Sequence, residues 1–286
     1  MFYEYEIDYE TQNSYEKGLK EAFWQFLVVP EENDTQELSY WHFENDLGER
    51  NSVSVNGLGF TTVQVRSIKE IDHITFSAHF KLIKKEVNPF DFELPLDPKE
   101  EFDMLRSLDF RIDHEPFLRN TPLTHLPEKY SSIYEFDEKV PLFENLQALN
   151  QWVYNKIFFK PGVTSVDTAL EEIIEKRHGV CQDFTHLFCA IAKKNGIPSR
   201  YVSGYLHQGN GFFGDSQMHA WVEAFLPNAG WIGFDPTNNL LANHNHIKVS
   251  HGKDYTDCAP LKGVVYTLGK NETKYSVSVK AAQQQQ

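Results

Sequence analysis

Hydrophobic and polar positions change period near the middle of the chain. From Tyr3 to about Lys85 they alternate in short runs, among them Ser52-Val53-Ser54-Val55, Thr62-Val63-Gln64-Val65-Arg66 and His73-Ile74-Thr75-Phe76-Ser77. Turn signals such as Asn45-Asp46-Leu47-Gly48 and Asn56-Gly57 separate them, and a period of two at that spacing predicts a β-sandwich. The segment from Asn88-Pro89 to Asp97-Pro98 reads as a linker. Beyond it the period lengthens. Leu142, Leu146, Leu149, Val153 and Ile157 mark one amphipathic helix, and Thr168-x-x-Glu171 offers a capping box to a second, whose core positions include Leu170, Ile173 and Ile174. Phe184, Leu187, Phe188 and Ile191 stripe a third until Gly196-Ile197-Pro198 stops it. Strands are expected at Ser199 to Leu206, Met218 to Leu226 and Trp231 to Asp235, with Val264 to Leu268 and Tyr275 to Val279 joining the same sheet. The predicted class is α+β. A β-sandwich-like region (1–88) precedes a linker and helical connection (89–140), a helix-on-antiparallel-sheet core (141–280) and a low-complexity tail (281–286) that frays.

Chemistry enters at the start of the third helix. In Arg177-His178-Gly179-Val180-Cys181-Gln182-Asp183-Phe184 a glycine-led turn delivers a lone cysteine to the first helical turn. Free backbone N–H groups and the positive end of the macrodipole favour a negative sulfur there. Taken alone, Cys181 reads as a small buried hydrophobe. The downstream pattern alters that. Met218-His219-Ala220-Trp221-Val222-Glu223-Ala224-Phe225-Leu226, Pro227-Asn228-Ala229-Gly230 and Trp231-Ile232-Gly233-Phe234-Asp235 read as a β-hairpin. Its midpoint near Pro227 sets His219 and Asp235 opposite or diagonal on one face, with Cβ atoms about 4.5 to 8 Å apart. A nucleophilic thiol, an imidazole to move its proton and a carboxylate to fix the imidazole tautomer form a Cys181, His219, Asp235 triad.

Gly179-Val180-Cys181-Gln182-Asp183-Phe184, Met218-His219-Ala220-Trp221-Val222-Glu223 and Gly233-Phe234-Asp235-Pro236-Thr237-Asn238 resemble the three core motifs of the transglutaminase-like superfamily, most closely its bacterial branch labelled as cysteine proteases. Pro161-Gly162-Val163-Thr164, Arg200 to Leu206 and Gly252-Lys253-Asp254-Tyr255-Thr256-Asp257-Cys258-Ala259-Pro260 through Gly263-Val264 add to the likeness. It covers most of residues 140 to 280; over 1 to 90 it is topological, matching the β-rich domain that precedes the core in this branch. The resemblance implies a papain/transglutaminase-like core, with Cys181 as nucleophile, His219 as acid/base and Asp235 as orienting carboxylate. It does not imply one reaction, because the superfamily includes transglutaminases, proteases and amidases. Hydrolysis of amide or ester bonds through a thioester is the favoured reading. The alternatives are a protein-glutamine transamidase and a catalytically silent binding or scaffold protein that keeps the fold.

Composition narrows the partners. A net charge of −14 disfavours nucleic acid and anionic membrane surfaces, so a protein or peptide substrate is expected. No apolar run reaches membrane-spanning length, and the acidic start Met1-Phe2-Tyr3-Glu4-Tyr5-Glu6 is unlike a secretory signal, so a cytoplasmic protein is expected. Three cysteines make no disulfide framework; Cys189 and Cys258 read as structural. Neither metal nor cofactor is expected: His244-x-His246 with His251 reads as a polar loop lacking converging ligands, and no calcium-loop spacing appears.

Other residues carry lesser expectations. Gln182, Trp221 and Trp231 are candidates for supporting or oxyanion roles, the tryptophans flanking the catalytic pair and shielding it from water. Trp152 reads as core packing. His178 and His186 are expected on the helix surface or in support of the site. Gly209 to Asp215, with three glycines and Phe212-Phe213, reads as a lid or as a plain flexible loop.

Overall fold

One strand crosses the whole strand-rich region. In the computed structural model, which describes residues 1–92, 97–207, 217–227, 229–267 and 269–282, β1 runs over Phe2–Phe26. Tyr5, Ile7, Tyr9, Thr11, Asn13 and Tyr15 are buried at alternate positions, the period-two pattern that faces one side of a strand to a core. Gly18, at φ +59°, and a register shift near Leu19 and Glu21 move the parity, so that Ala22, Trp24 and Phe26 are the buried set in the second half. An inserted irregularity of this kind lets one long strand serve two stretches of core.

Strands β2 (Gln36–Asn45), β3 (Asn51–Val55), β4 (Thr61–Ser67) and β5 (Ile71–Lys85) order as β2-β5-β1-β4-β3. Three short helices follow, α1 (Pro98–Arg106), α2 (Leu108–Asp113) and α3 (Glu115–Leu118). Asp97 caps α1 by accepting the Lys99 N–H, with Pro98 at the first position, where its missing N–H costs nothing. Buried Glu101 of α1 accepts the Leu142 N–H at 2.9 Å and so caps α4 (Leu142–Lys156) across the helix pair.

The core then runs β6 (Phe158–Phe159), α5 (Leu170–Lys176), β7 (His178–Gly179), α6 (Cys181–Lys194), β8 (Ser199–Leu206), β9 (His219–Leu226), β10 (Gly230–Asp235), β11 (Leu240–Leu241), β12 (His246–Gly252) and α7 (Tyr255–Cys258). The five-stranded sheet orders β11-β10-β9-β8-β12. Val222, Ala224, Leu226 and Phe234 on one face pack with the buried stripe Phe184, Leu187, Phe188 and Ile191 of α6 and with Leu146, Leu149 and Val153 of α4. On the other side Tyr205, Ile247 and Val249 join the core of the strand-rich region. The architecture is α+β, a strand-rich region against a helix-on-sheet core.

Three expectations are corrected. The strands near the C-terminus, β13 (Leu261–Thr267) and β14 (Asn271–Ala282), do not join the core sheet; they pair with β1, completing the seven-stranded sheet of the N-terminal region. The Thr168 capping box does not form. Helix α5 begins at Leu170 after Ala169 without a side-chain cap, and Thr168 accepts the Ser165 N–H at 2.8 Å within the preceding loop. The stretch read as a polar histidine loop is strand β12 over most of its length.

Candidate active site

Two short parallel strands carry the chain into α6. Pairing of β6 with β7 sets Gly179 beside Phe159, and the Lys160 N–H reaches the Gly179 carbonyl at 2.8 Å. Buried Asp183, at the third helical position, accepts the Val180 N–H at 2.7 Å and the Thr164 hydroxyl at 2.7 Å. A carboxylate in the first turn thus ties the helix start to the Pro161-Gly162-Val163-Thr164 loop. Gly179 leaves the room: a Cβ there would lie 2.6 Å from Asp183. Cys181 opens the helix half-buried, packed with Tyr201, Ala220, Tyr255 and Cys258.

The hairpin supplies the other two groups. Its register pairs Leu226 with Gly230 and Phe234 with Val222, one residue beyond the symmetry expected about Pro227. Continued by one step, that pairing sets Asp235 opposite Trp221 and diagonal to His219, all on one face. His219 Nε2 lies 2.8 Å from Asp235 Oδ2, and both side chains are fully buried. Asp235 Oδ2 also accepts Asn238 Nδ2 at 2.8 Å, while Oδ1 accepts the backbone N–H groups of Thr237 at 3.0 Å and Asn238 at 3.2 Å.

Burial by itself disfavours charge on either group, yet each holds the other's. Burial would raise the Asp235 carboxyl, but the His219 charge and the hydrogen bonds from His219 and His246 hold it far below the usual carboxylate range. Burial would lower His219, and Asp235, with a smaller pull from the Cys181 thiol, raises it to about 10. Cys181 packs against the cluster that holds Ala220, the residue next to His219. His219 Nδ1 is buried with no hydrogen-bond partner among the described residues.

The structure brings Cys181, His219 and Asp235 together and sorts the other candidates. Trp221 is buried beside the pair, its ring 6.3 Å from His219 and 5.3 Å from His246. Trp231 does not flank the pair. Four residues from Asp235 is about 13 Å of strand, and its ring sits 4.1 Å from the Arg200 guanidinium. The Gln182 amide donates to the Val166 carbonyl at 3.2 Å, turned toward the neighbouring loop. Trp152 packs against Tyr134 at 5.4 Å. His186 is no surface residue: it is fully buried, accepts the Tyr255 N–H at 3.2 Å, and burial lowers it to about 4. The expected lid from Gly209 to Asp215 lies outside the described residues.

His246 was missed. It opens β12 and places Nε2 3.3 Å from Asp235 Oδ2. With His219 and Asp235 it forms a group whose ligand atoms lie within 4.8 Å of one another. Those atoms are engaged in hydrogen bonds to Asp235, and a zinc ion with bonds of about 2.0 to 2.2 Å would have to displace them. A sequence reading sees His246 only as one of several histidines in a polar stretch, since the contact crosses two strands.

Residues 134–236 match the transglutaminase-like superfamily. An uncharacterized protein of Mycobacterium tuberculosis is 37% identical over 145 residues, 48% of this chain and 46% of that protein, so the chain spans about half the length of the curated relatives it matches. A protein-glutamine gamma-glutamyltransferase of Pseudomonas aeruginosa is 32% identical over 84 residues, 27% of this chain and 13% of that protein. Among solved structures, one described as "a Putative Cysteine Protease from Cytophaga hutchinsonii" shares the fold with a TM-score of 0.79 at 21% identity, covering 100% of this chain and 92% of that one. That likeness extends over the strand-rich region as well as the core. The chain therefore carries a transglutaminase-like core behind an N-terminal β region.

Proposed function

We propose that this transglutaminase-like protein is a thiol-dependent acyl-transfer enzyme that hydrolyses amide or ester bonds in a peptide or protein, with Cys181, His219 and Asp235 as its triad. The observation that carries the reading is the buried His219–Asp235 pair and a half-exposed cysteine at a helix start, with the second imidazole nitrogen without a hydrogen bond among the described residues. Cys181 Sγ attacks the carbonyl carbon, and the backbone N–H of Cys181 at the start of α6, ahead of the first turn bond from Asp183 N–H to the Val180 carbonyl, meets the developing oxyanion. His219, held charged near neutral pH, gives its proton to the leaving amine. A thioester remains on Cys181; water attacks its carbonyl as His219 takes the water proton, the carbon–sulfur bond breaks, and the acid leaves with Cys181 restored as a thiolate beside the charged His219. Asp235 keeps one tautomer throughout. A reducing compartment suits this chemistry, because it keeps the thiol free.

Water at about 55 M outcompetes an amine unless binding gives that amine a high effective molarity, which favours hydrolysis. The partial match to a gamma-glutamyltransferase makes transamidation the alternative. A library of electrophilic amide and ester probes, compared between the intact protein and Cys181→Ala, tests the reading. Acid release that disappears in the variant supports it. With a reporter amine present, stable amine incorporation exceeding acid release makes the protein a transferase. If no probe acylates the folded intact protein, the scaffold reading stands instead.

A further inference from the structure

Asp235 has a second imidazole. His246 Nε2 lies 3.3 Å from the same oxygen that accepts His219, and the ring is buried. The Asn243 N–H donates to His246 Nδ1 at 3.2 Å, which leaves the proton on Nε2 and makes this nitrogen a donor to Asp235. Burial pushes His246 below the ordinary histidine range, so the ring donates as a neutral group while His219 keeps the charge. The edge of the Trp221 ring stands against it at 5.3 Å.

The backbone carrying His246 is held from the other side by the strand-rich region. Lys84 of β5, itself buried, donates to the His246 carbonyl and to the Gln36 amide oxygen at 3.3 Å. Gln36 of β2 bonds β12 as a neighbouring strand would, its amide nitrogen reaching the Lys248 carbonyl at 2.7 Å and its oxygen accepting the Lys248 N–H at 3.0 Å. The Glu31 N–H adds a bond to the same carbonyl at 2.9 Å. A continuous run of contacts thus leads from β5 and β2 through the start of β12 to the triad carboxylate. A buried histidine serving only to fill space would be satisfied by a nearby carbonyl or by water; this one is aimed at the carboxylate that orients His219.

We propose that His246 is a positioning residue for the His219–Asp235 pair, and that Lys84 and Gln36 set its place, which makes the strand-rich region a working part of the site. The proposal rests on the reading that Cys181 and His219 act together, and the test separates the two. The probe is iodoacetamide, and the quantity is the rate at which it alkylates Cys181 in the folded full chain from pH 5 to 9. His219→Ala slows the rate near neutral pH. His246→Ala slows it in the same direction by roughly 10-fold, the size set by one hydrogen bond to a charged group, and moves the pH of half-maximal rate. His246→Gln, which returns a donor, recovers most of the rate. Lys84→Met, which frees the His246 carbonyl, gives a smaller slowing. A His246→Ala protein with unchanged rate and profile, alongside a slowed His219→Ala, overturns the positioning role and leaves the triad reading intact. If His219→Ala is itself unaffected, the Cys–His pairing fails and the positioning role falls with it. Thermal melting checks each variant. Should His246→Ala not fold, His246→Leu, which keeps the bulk without the donor, takes its place with the same outcomes, and an unchanged profile in Lys84→Met removes the role of the strand-rich region.

Discussion

Cys181, Cys189 and Cys258 share a chain without sharing an environment. Cys189 and Cys258 are fully buried, and burial pushes both thiols up, Cys189 to about 11. Cys258 also donates to the Tyr201 carbonyl at 3.8 Å. Cys181 alone is half-exposed and has an imidazole beside it. Iodoacetamide near neutral pH is therefore expected to label Cys181 first, read by peptide mapping; Cys181 as the slowest of the three would contradict the nucleophile assignment. The histidines make a second expectation with opposite signs. Burial depresses His186 to about 4 from the 6.5 of an unfolded chain, so its contribution to stability is full above about 6.5 and is lost as pH falls through about 4. His219, raised to about 10, contributes fully below about 6.5 and loses that contribution as pH rises through about 10. Melting temperatures should accordingly fall less between pH 6.5 and 4 in His186→Gln than in the parent, and less between pH 7 and 10 in His219→Gln. Equal slopes in parent and variant would show that these groups are not the ones titrating.

At the scale of elements, the turn into α6 depends on one missing side chain. Gly179→Ala would force a methyl group against Asp183, breaking the carboxylate's hold on the Val180 N–H and Thr164. A loss of about 1 to 3 kcal/mol in stability is expected from the overpacking. Cys181 alkylation should slow in the fraction that still folds; a variant with parental stability and rate would show that the turn has slack. The α6 stripe and the β9–β10 hairpin were legible because their signals are local: Phe184, Leu187, Phe188 and Ile191 recur within one helix, and His219 and Asp235 lie sixteen residues apart across a single turn. Strand β12 was not legible. Lys248 and Ser250 are buried in it, and the groups that make Lys248 acceptable there are Glu223 at 2.8 Å and the Gln36 amide, 25 and 212 residues away. No window on the sequence contains both partners. For the same reason the alternation of residues 264 to 279 announced strands without saying which sheet would take them.

For the whole molecule, the decisive partner of the N-terminal strand is at the far end of the chain. Glu4 through Tyr15 pair with Ala282 through Asn271, and Leu19 through Phe26 pair with β13. Removing residues 261–282 would leave one side of β1 unpaired along most of its length, an edge suited to joining another chain. The truncated protein is expected to melt at lower temperature and to form oligomers by size-exclusion chromatography. A monomer with parental melting temperature would show that β1 does not need this cover.

The same pairing imposes an order in time. Residues 141–252 contain the helix, the hairpin and β12, and their contacts can close as that stretch leaves the ribosome, whereas one side of β1 waits for partners that run from Leu261, opposite Phe26, to Ala282, opposite Glu4. Pairing across such a separation is slow, because the loop must close before any contact rewards it. If Lys84 and Gln36 hold His246 in place, the cysteine helix can form before its histidine pair is braced, because the sheet that carries Lys84 and Gln36 is completed only by β13 and β14. The protein would then gain its full reactivity only once β13 and β14 have been made and paired, so that strands far from the site also switch on the thiol.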